Sequence, residues 1–375
     1  MLQIDHIYEF LYQELFKDFE LWHLFNGVVK EGPINIHDIS VFTRGLDADK
    51  KIFFYDQEPF IPALSNAYMD VFTHSTKKLI LATSEYSSDV NKRIQKNNLY
   101  NLYYFFHGFA ALDWYRGVYA LNYSKSVVKS YKHDFITFNR IINNDRSYRI
   151  YFISLLKELN LLNYGQVSFN VTNNLFDDWQ DETANPDSKL SANAKLHIEQ
   201  HMTNVTKLVI DSSELPGSAS ADIPRHTDAF WHIVTETVFY YDKLHLTEKI
   251  FKPIVSKQPF MLLAAPRNLE YLRSYGFKTF DGIIDESYDL IQDPDLRTGA
   301  VVKQIAWYCR LSEQEKTNIM RAVEPIVLHN FHHFYGEFKH IITRELIDNA
   351  KTLFQSMGYN DRHIDYTSIH HLLTH

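Results

Sequence analysis

Three short runs, apolar almost throughout and each closed by a polar turn, constrain the fold most. Lys51-Ile-Phe-Phe-Tyr55 stops at Asp-Gln-Glu-Pro59, and Lys78-Leu-Ile-Leu-Ala-Thr83 stops at Ser-Glu-Tyr-Ser-Ser-Asp89. Leu102-Tyr-Tyr-Phe-Phe106 stops at His107-Gly108. A strand with one wet face alternates apolar and polar residues, whereas one buried on both faces does not, so these runs fit strands of a parallel sheet. Helical periodicity lies between and around them, as in the opening residues Ile4, Ile7, Phe10, Leu11, Leu15 and Phe16. That alternation predicts an α/β domain.

A second series starts after Ser130. Asp134-Phe-Ile-Thr-Phe138 reads as a strand, followed by the turn Asn139 to Asp145 and a helix from Arg146 to Leu159 with Ile150, Ile153, Leu155 and Leu156 inward. Further strands are expected at Lys207–Asp211, Trp231–Thr235 and Pro259–Ala264, with a polar excursion or solvated helix over 172–200 and a mostly helical tail after Leu311. At about 100–200 residues per domain, 375 residues suit two domains. The expected divisions are 1–131, 132–345 and a helical tail at 346–375.

Composition narrows the chemistry. Glycine supplies 12 residues of 375, and neither GxGxxG nor GxxxxGK[ST] occurs. A glycine loop for a dinucleotide or a P-loop is therefore excluded, and any phosphate must be held by other groups. The net charge of −8, with neither half basic, disfavours bulk electrostatic binding of nucleic acid, leaving at most a local patch such as Lys92, Arg93, Lys96 and Arg116. Single Cys309 fits a reducing compartment. The acid-bearing N-terminus does not read as a signal peptide, and no apolar run approaches the roughly 20 residues of a membrane span. Together these suggest a soluble, cytoplasmic protein.

The densest chemistry lies at His226 to Pro266. A strand ending at Thr235-Glu236 would set a carboxylate at the carboxyl edge of a parallel sheet, where open α/β sheets bind ligands. Leu246-Thr247-Glu248-Lys249 then opens a helix, with Thr247 as cap, free N–H groups for an anion and Lys249 as a point charge. Glu248 suits a ribose diol, since a carboxylate accepts from two adjacent hydroxyls. This amounts to a nucleoside-diphosphate site built without glycine.

The block Glu236 … Leu246-Thr247-Glu248-Lys249-Ile250 … Pro259-Phe260 resembles the donor-binding motif of the α-1,3-fucosyltransferase group over about 35 residues. The resemblance implies the glycosyltransferase B fold, two Rossmann-like domains facing a cleft, with acceptor binding in the first and a UDP- or GDP-sugar in the second. It implies Glu248 on the ribose, Lys249 on the diphosphate and Glu236 near the sugar. Phe135-Ile-Thr-Phe-Asn139 leading to Arg146 and Arg149 is similar to that group's strand, loop and Arg-bearing helix. A guanidinium fork there would pair with two phosphate oxygens. The group also has a glutamate base on a loop after a strand, which the resemblance carries to Glu58, with Asp56 as rival.

Other sugar or acceptor contacts are expected at His107, Asp113, Arg225 and His226, with Ser84-Glu85-Tyr86 ranked lower. No tightly bound cofactor or metal is expected: Asp47-Ala-Asp49 and Asp293-Pro-Asp295 do not follow strands, and His332-His333 and His370-His371 lack a facing ligand. The reading is a metal-independent, inverting hexosyl- or pentosyltransferase. Its acceptor is a glycan or a hydroxymethylated base in viral DNA, and its oligomeric state stays open. The alternative is a non-catalytic nucleotide- or partner-binding protein on the same fold.

Overall fold

The computed structural model describes residues 4–23, 51–59, 79–119, 131–139, 141–169, 179–202 and 228–359. The chain divides into two compact units. One comprises Met1–Arg116, Lys243–His245 and Gly336–His375; the other comprises Gly117–Asp242 and Leu246–Tyr335. In chain order the strands are β1 (Glu20–His23), β2 (Lys51–Tyr55), β3 (Ile80–Thr83), β4 (Tyr86–Ser87), β5 (Tyr100–Tyr103), β6 (His133–Asn139), β7 (Gly165–Phe169), β8 (Ala229–Thr235), β9 (Lys243–Leu244) and β10 (Phe260–Leu263). Among the described residues both principal sheets are parallel, so each unit is α/β, as the uninterrupted apolar runs predict.

The first unit orders its sheet β1-β2-β3-β5. Every residue of β2 and β3 is buried. Aromatic side chains fill much of the surrounding core: Phe16 meets Phe19 edge-on at 5.4 Å and Phe354 at the same distance. Each such ring removed from water contributes about 1.5–3 kcal/mol. The opening helix runs from Ile4 to Glu9 and widens into a π-helix at Phe10–Leu15, burying Phe10, Leu11 and Leu15 together. Gly108 permits close approach of the Phe338–Ser356 helix, because a Cβ there would lie 2.9 Å from the Phe338 ring.

The third apolar run departs from expectation. Its strand is Tyr100–Tyr103, and Phe106 already opens the helix Phe106–Trp114. The Phe106 N–H donates to Ser84 Oγ at 3.0 Å, and the Phe105 carbonyl accepts from Phe109 N, so the chain turns helical before the apolar run ends. A continuous apolar run cannot mark that change, because strand end, turn and helix start are all buried.

The second unit orders its sheet β10-β8-β6-β7. After β6 the Asn144–Arg146 turn is 3₁₀ and the α-helix spans Tyr148–Glu158, with Leu155 only half-buried. The polar stretch near 172–200 contains helices at Trp179–Ala184 and Ala192–His201. The expected strand at Lys207–Asp211 lies outside the described residues. Asparagine takes over part of glycine's usual role in both units: Asn98 in the first, and Asn144 and Asn160 in the second, adopt positive φ, a region their short polar side chains tolerate.

Gly165, at the start of β7, offers a direct test of packing. Its φ of −123° suits any residue, yet a Cβ there would run into the buried ring of Phe135 on β6. Gly165→Ala is expected to cost about 1–3 kcal/mol through overpacking alone. Urea unfolding measures it, and Phe135→Leu in the same chain should return part of the loss.

Candidate active site

The second unit's sheet contains a reversal that locates a ligand edge. β6 pairs with β7 on one side, and the later strand β8 pairs on its other side. Open α/β sheets bind ligands outside the carboxyl ends of strands at such a switch point. Asn139 ends β6 and Thr235 ends β8, and Thr235 Oγ1 donates to the Phe138 carbonyl at 3.0 Å, joining the two strand ends.

Glu236 follows immediately and is fully buried. Its carboxylate accepts from Thr247 N at 3.1 Å, Thr247 Oγ1 at 2.6 Å and Thr237 N at 3.2 Å. Burial raises its pKa, while the charge of Lys249 and the Thr247 hydroxyl pull it back. Thr247 in turn caps the Glu248–Ile250 turn by accepting from Lys249 N at 3.4 Å. The expected free N–H groups at this helix start are therefore partly consumed: Glu236 holds Thr247 N, and Thr247 Oγ1 holds Lys249 N.

The charge available to an anion is the Lys249 ammonium. It lies 3.0 Å from Glu248 Oε1, 3.2 Å from Thr247 Oγ1 and 3.3 Å from Thr237 Oγ1. Its side chain is 31% exposed, against 6% for Glu248, so the cation is the accessible member of the pair. Lys249 thus stands beside two buried carboxylates at the carboxyl edge of β8.

Arg149 occupies the same edge in a different role from the one its type suggests. It is buried, and its guanidinium donates to Ile141 O at 2.8 Å, Thr235 O at 2.7 Å and Glu236 O at 3.4 Å. The fork that would grip a diphosphate is spent on backbone carbonyls, tying the loop after β6 to the end of β8. Tyr148 adds a bond of 2.6 Å to the Glu236 carbonyl. Arg146, one turn earlier, is half-buried on the 3₁₀ turn.

In the first unit, Asp56 directly follows β2 and is buried. Tyr8 donates to its Oδ2 at 3.0 Å, Tyr104 donates to the same oxygen in a short contact, and Gln57 donates to Tyr8 Oη at 3.2 Å. Desolvation pushes the Asp56 carboxyl up to about 6 despite these bonds, and burial likewise raises both phenols. Glu58, two residues on, is half-buried. Glu85 forms an ion pair of 2.8 Å with Lys243, both side chains 2% exposed, in the ribbon where β9 pairs antiparallel with β4.

His107 lies in the first turn of the Phe106–Trp114 helix rather than at a strand end, its ring edge-on to His245 at 5.1 Å. Asp113 sits near the end of that helix and pairs with Arg116, so its carboxylate is already engaged. Of the expected basic patch, Lys92, Arg93 and Lys96 lie on the Ser88–Lys96 helix. Arg225 and His226 lie outside the described residues. Of the Asp-x-Asp pairs, Asp293 caps the Pro294–Cys309 helix through Leu296 N and Asp295 accepts from Ser191. The sequence reading missed Tyr8 and Tyr104, which no local motif marks, and the trio Glu158, His197 and His201, two of which an i,i+4 histidine spacing signals.

No protein-family model and no curated protein sequence matches the chain. Among solved structures, T4 phage BGT in complex with its UDP-glucose substrate resembles it, at 10% sequence identity over 89% of this chain and 84% of that chain, with a TM-score of 0.42. At that identity and TM-score the likeness transfers no residue from one chain to the other, and the fucosyltransferase resemblance gains no confirmation from it.

Proposed function

We propose that the chain is a glycosyltransferase that moves a hexosyl or pentosyl group from a UDP- or GDP-sugar to an acceptor hydroxyl, with inversion and without a metal. One observation carries the reading: an accessible ammonium and a buried carboxylate, Lys249 and Glu248, stand together beyond the carboxyl end of β8, beside the sheet's switch point. Donor binding exchanges partners. The diphosphate takes the Lys249 ammonium, and the released Glu248 carboxylate accepts from the ribose diol. Glu236 and Arg149 act as positioning residues, one holding Thr247 and the other the strand ends. Arg146 supplies a second cation on the phosphate side, and Lys249 stabilises the leaving diphosphate.

The base belongs to the first unit, where Asp56 and Glu58 follow β2. A carboxylate with a pKa near 6 takes a hydroxyl proton more readily than an ordinary one, which favours Asp56 on chemistry. Glu58 keeps the advantage of greater exposure. The acceptor is a glycan or a modified base in DNA. The overall charge favours the former, and salt-sensitive DNA binding lost on removing Lys92, Arg93 and Lys96 would favour the latter.

The test is a thermal-shift screen against nucleoside diphosphates and their sugars. UDP or GDP is expected to raise the melting temperature of the wild type. Lys249→Ala should weaken that nucleotide ten- to a hundred-fold, the loss of one charged hydrogen bond of about 1.5–3 kcal/mol. A variant with native circular dichroism and unchanged nucleotide affinity would remove Lys249 from the site.

A further inference from the structure

We infer a transition-metal site, separate from the donor residues, on the second unit. It is formed by Glu158, at the end of the Tyr148–Glu158 helix, with His197 and His201 on the Ala192–His201 helix. A ligand atom from each lies within 4.8 Å of the other two. His197 and His201 are four apart on one helix, so their rings share a face; their centroids are 4.3 Å apart and the planes differ by 29°. Two imidazoles and one carboxylate are the donor set that Zn²⁺ accepts, leaving a fourth position for water.

The hydrogen bonds around His197 aim one ring nitrogen at Glu158. Ser154 Oγ donates to the Tyr151 carbonyl at 2.7 Å, so it serves as acceptor for His197 Nδ1–H at 2.9 Å. In the neutral ring this leaves the Nε2 lone pair, which faces Glu158 Oε2 at 3.1 Å. A lone pair opposite a carboxylate oxygen repels it unless a proton or a metal stands between them. Metal–ligand bonds of about 2.0–2.2 Å put tetrahedral donors about 3.3 Å apart, close to this separation. A Ser-bound Nδ1–H behind a metal-facing Nε2 is also the arrangement that fixes the ring orientation of a ligating histidine. Glu158 closes its helix, where the macrodipole disfavours a carboxylate, and a dication offsets that cost.

A second i,i+4 pair shows that spacing alone does not suffice. His329 and His333 stack at 5.7 Å, but their Nε2 atoms bond to the carbonyls of Gly276 at 3.0 Å and Tyr275 at 2.7 Å. At the Glu158 site, by contrast, a nitrogen and a carboxylate converge. The metal would strap the ends of two packed helices together.

Full-length protein stripped with chelator and titrated with Zn²⁺ by calorimetry tests this. One equivalent is expected to bind at micromolar Kd or tighter, and Co²⁺ in its place should give the intense visible absorption of a four-coordinate site. His201→Ala and Glu158→Gln should each weaken binding at least ten-fold, Ser154→Ala less, and His329→Ala not at all. Both ligand positions are partly exposed, and circular dichroism confirms that each variant is folded. Absence of Zn²⁺ binding, or binding unchanged in both folded ligand variants, overturns the site.

Discussion

Glu236→Ala is expected to destabilise the second unit by about 3 kcal/mol, the cost of stripping a buried, hydrogen-bonded charge from its partners. The carboxylate takes two backbone N–H groups and the Thr247 hydroxyl, and Lys249 adds an attractive charge. Alanine removes every one of these acceptors. The N–H groups of Thr237 and Thr247 then lose their bonds in a buried setting, and Lys249 is left with Glu248 as its neighbouring counter-charge. Glu236→Gln keeps one acceptor oxygen and should cost roughly half as much, since its amide turns a donor toward other donors. Urea unfolding near neutral pH, with the slope unchanged, reads the difference. A Glu236→Ala protein within about 0.5 kcal/mol of the wild type would show that the 236–247 junction is not what holds this edge together. Because the role is positional, nucleotide affinity should fall in Glu236→Ala and recover partly in Glu236→Gln, while no neutral residue at 249 restores it.

The elements that the sequence made legible are those whose burial is uniform along the run. Lys51–Tyr55 and Ile80–Thr83 lie inside a parallel sheet, and nothing but an unbroken apolar run satisfies two covered faces. The 100–106 region shows the limit, because burial continues across Phe105 and Phe106 while the backbone changes state. Thr247 was legible as a helix start because capping is a local matter of one hydroxyl and one N–H two residues on. Arg149 was not. Its residue type serves a diphosphate and a set of carbonyls equally well, and the carbonyls of Thr235 and Glu236 that claim it lie over eighty residues along the chain. The same distance problem hid Tyr8 from Asp56 and Glu158 from His197. The strand order β10-β8-β6-β7, which turns a Glu-Thr-Glu-Lys cluster into a ligand edge, is likewise a property of pairing and not of any local pattern.

Asp56→Asn should produce the other large effect, in two measurements that separate its structural role from its chemical one. The folded carboxyl titrates near 6, above the ordinary 3.8, because burial penalises its charge more than Tyr8 and Tyr104 stabilise it. The folded state therefore binds a proton that the unfolded chain has already released. Stability from this group is fully present below about pH 4 and is lost as the pH rises through about 6. At 1.36 kcal/mol per unit, a shift of about two units is worth about 3 kcal/mol across that window. Asparagine does not titrate, so the variant should lose this component of the pH dependence and keep only the slope of other shifted groups such as Glu236. Turnover supplies the second measurement. If Asp56 is the base, the wild-type rate rises with pH through about 6 and Asp56→Asn loses a factor of 10² to 10⁴, while Glu58→Gln stays active. If the stability profile flattens but turnover survives, the carboxylate serves only to anchor two phenols, and the loss should appear in Glu58→Gln instead. Full activity in both variants would remove the base from this strand end altogether. A stability profile that keeps its slope in Asp56→Asn would show that burial at this strand end does not raise the carboxyl, and with it would go the chemical reason for preferring Asp56 over Glu58.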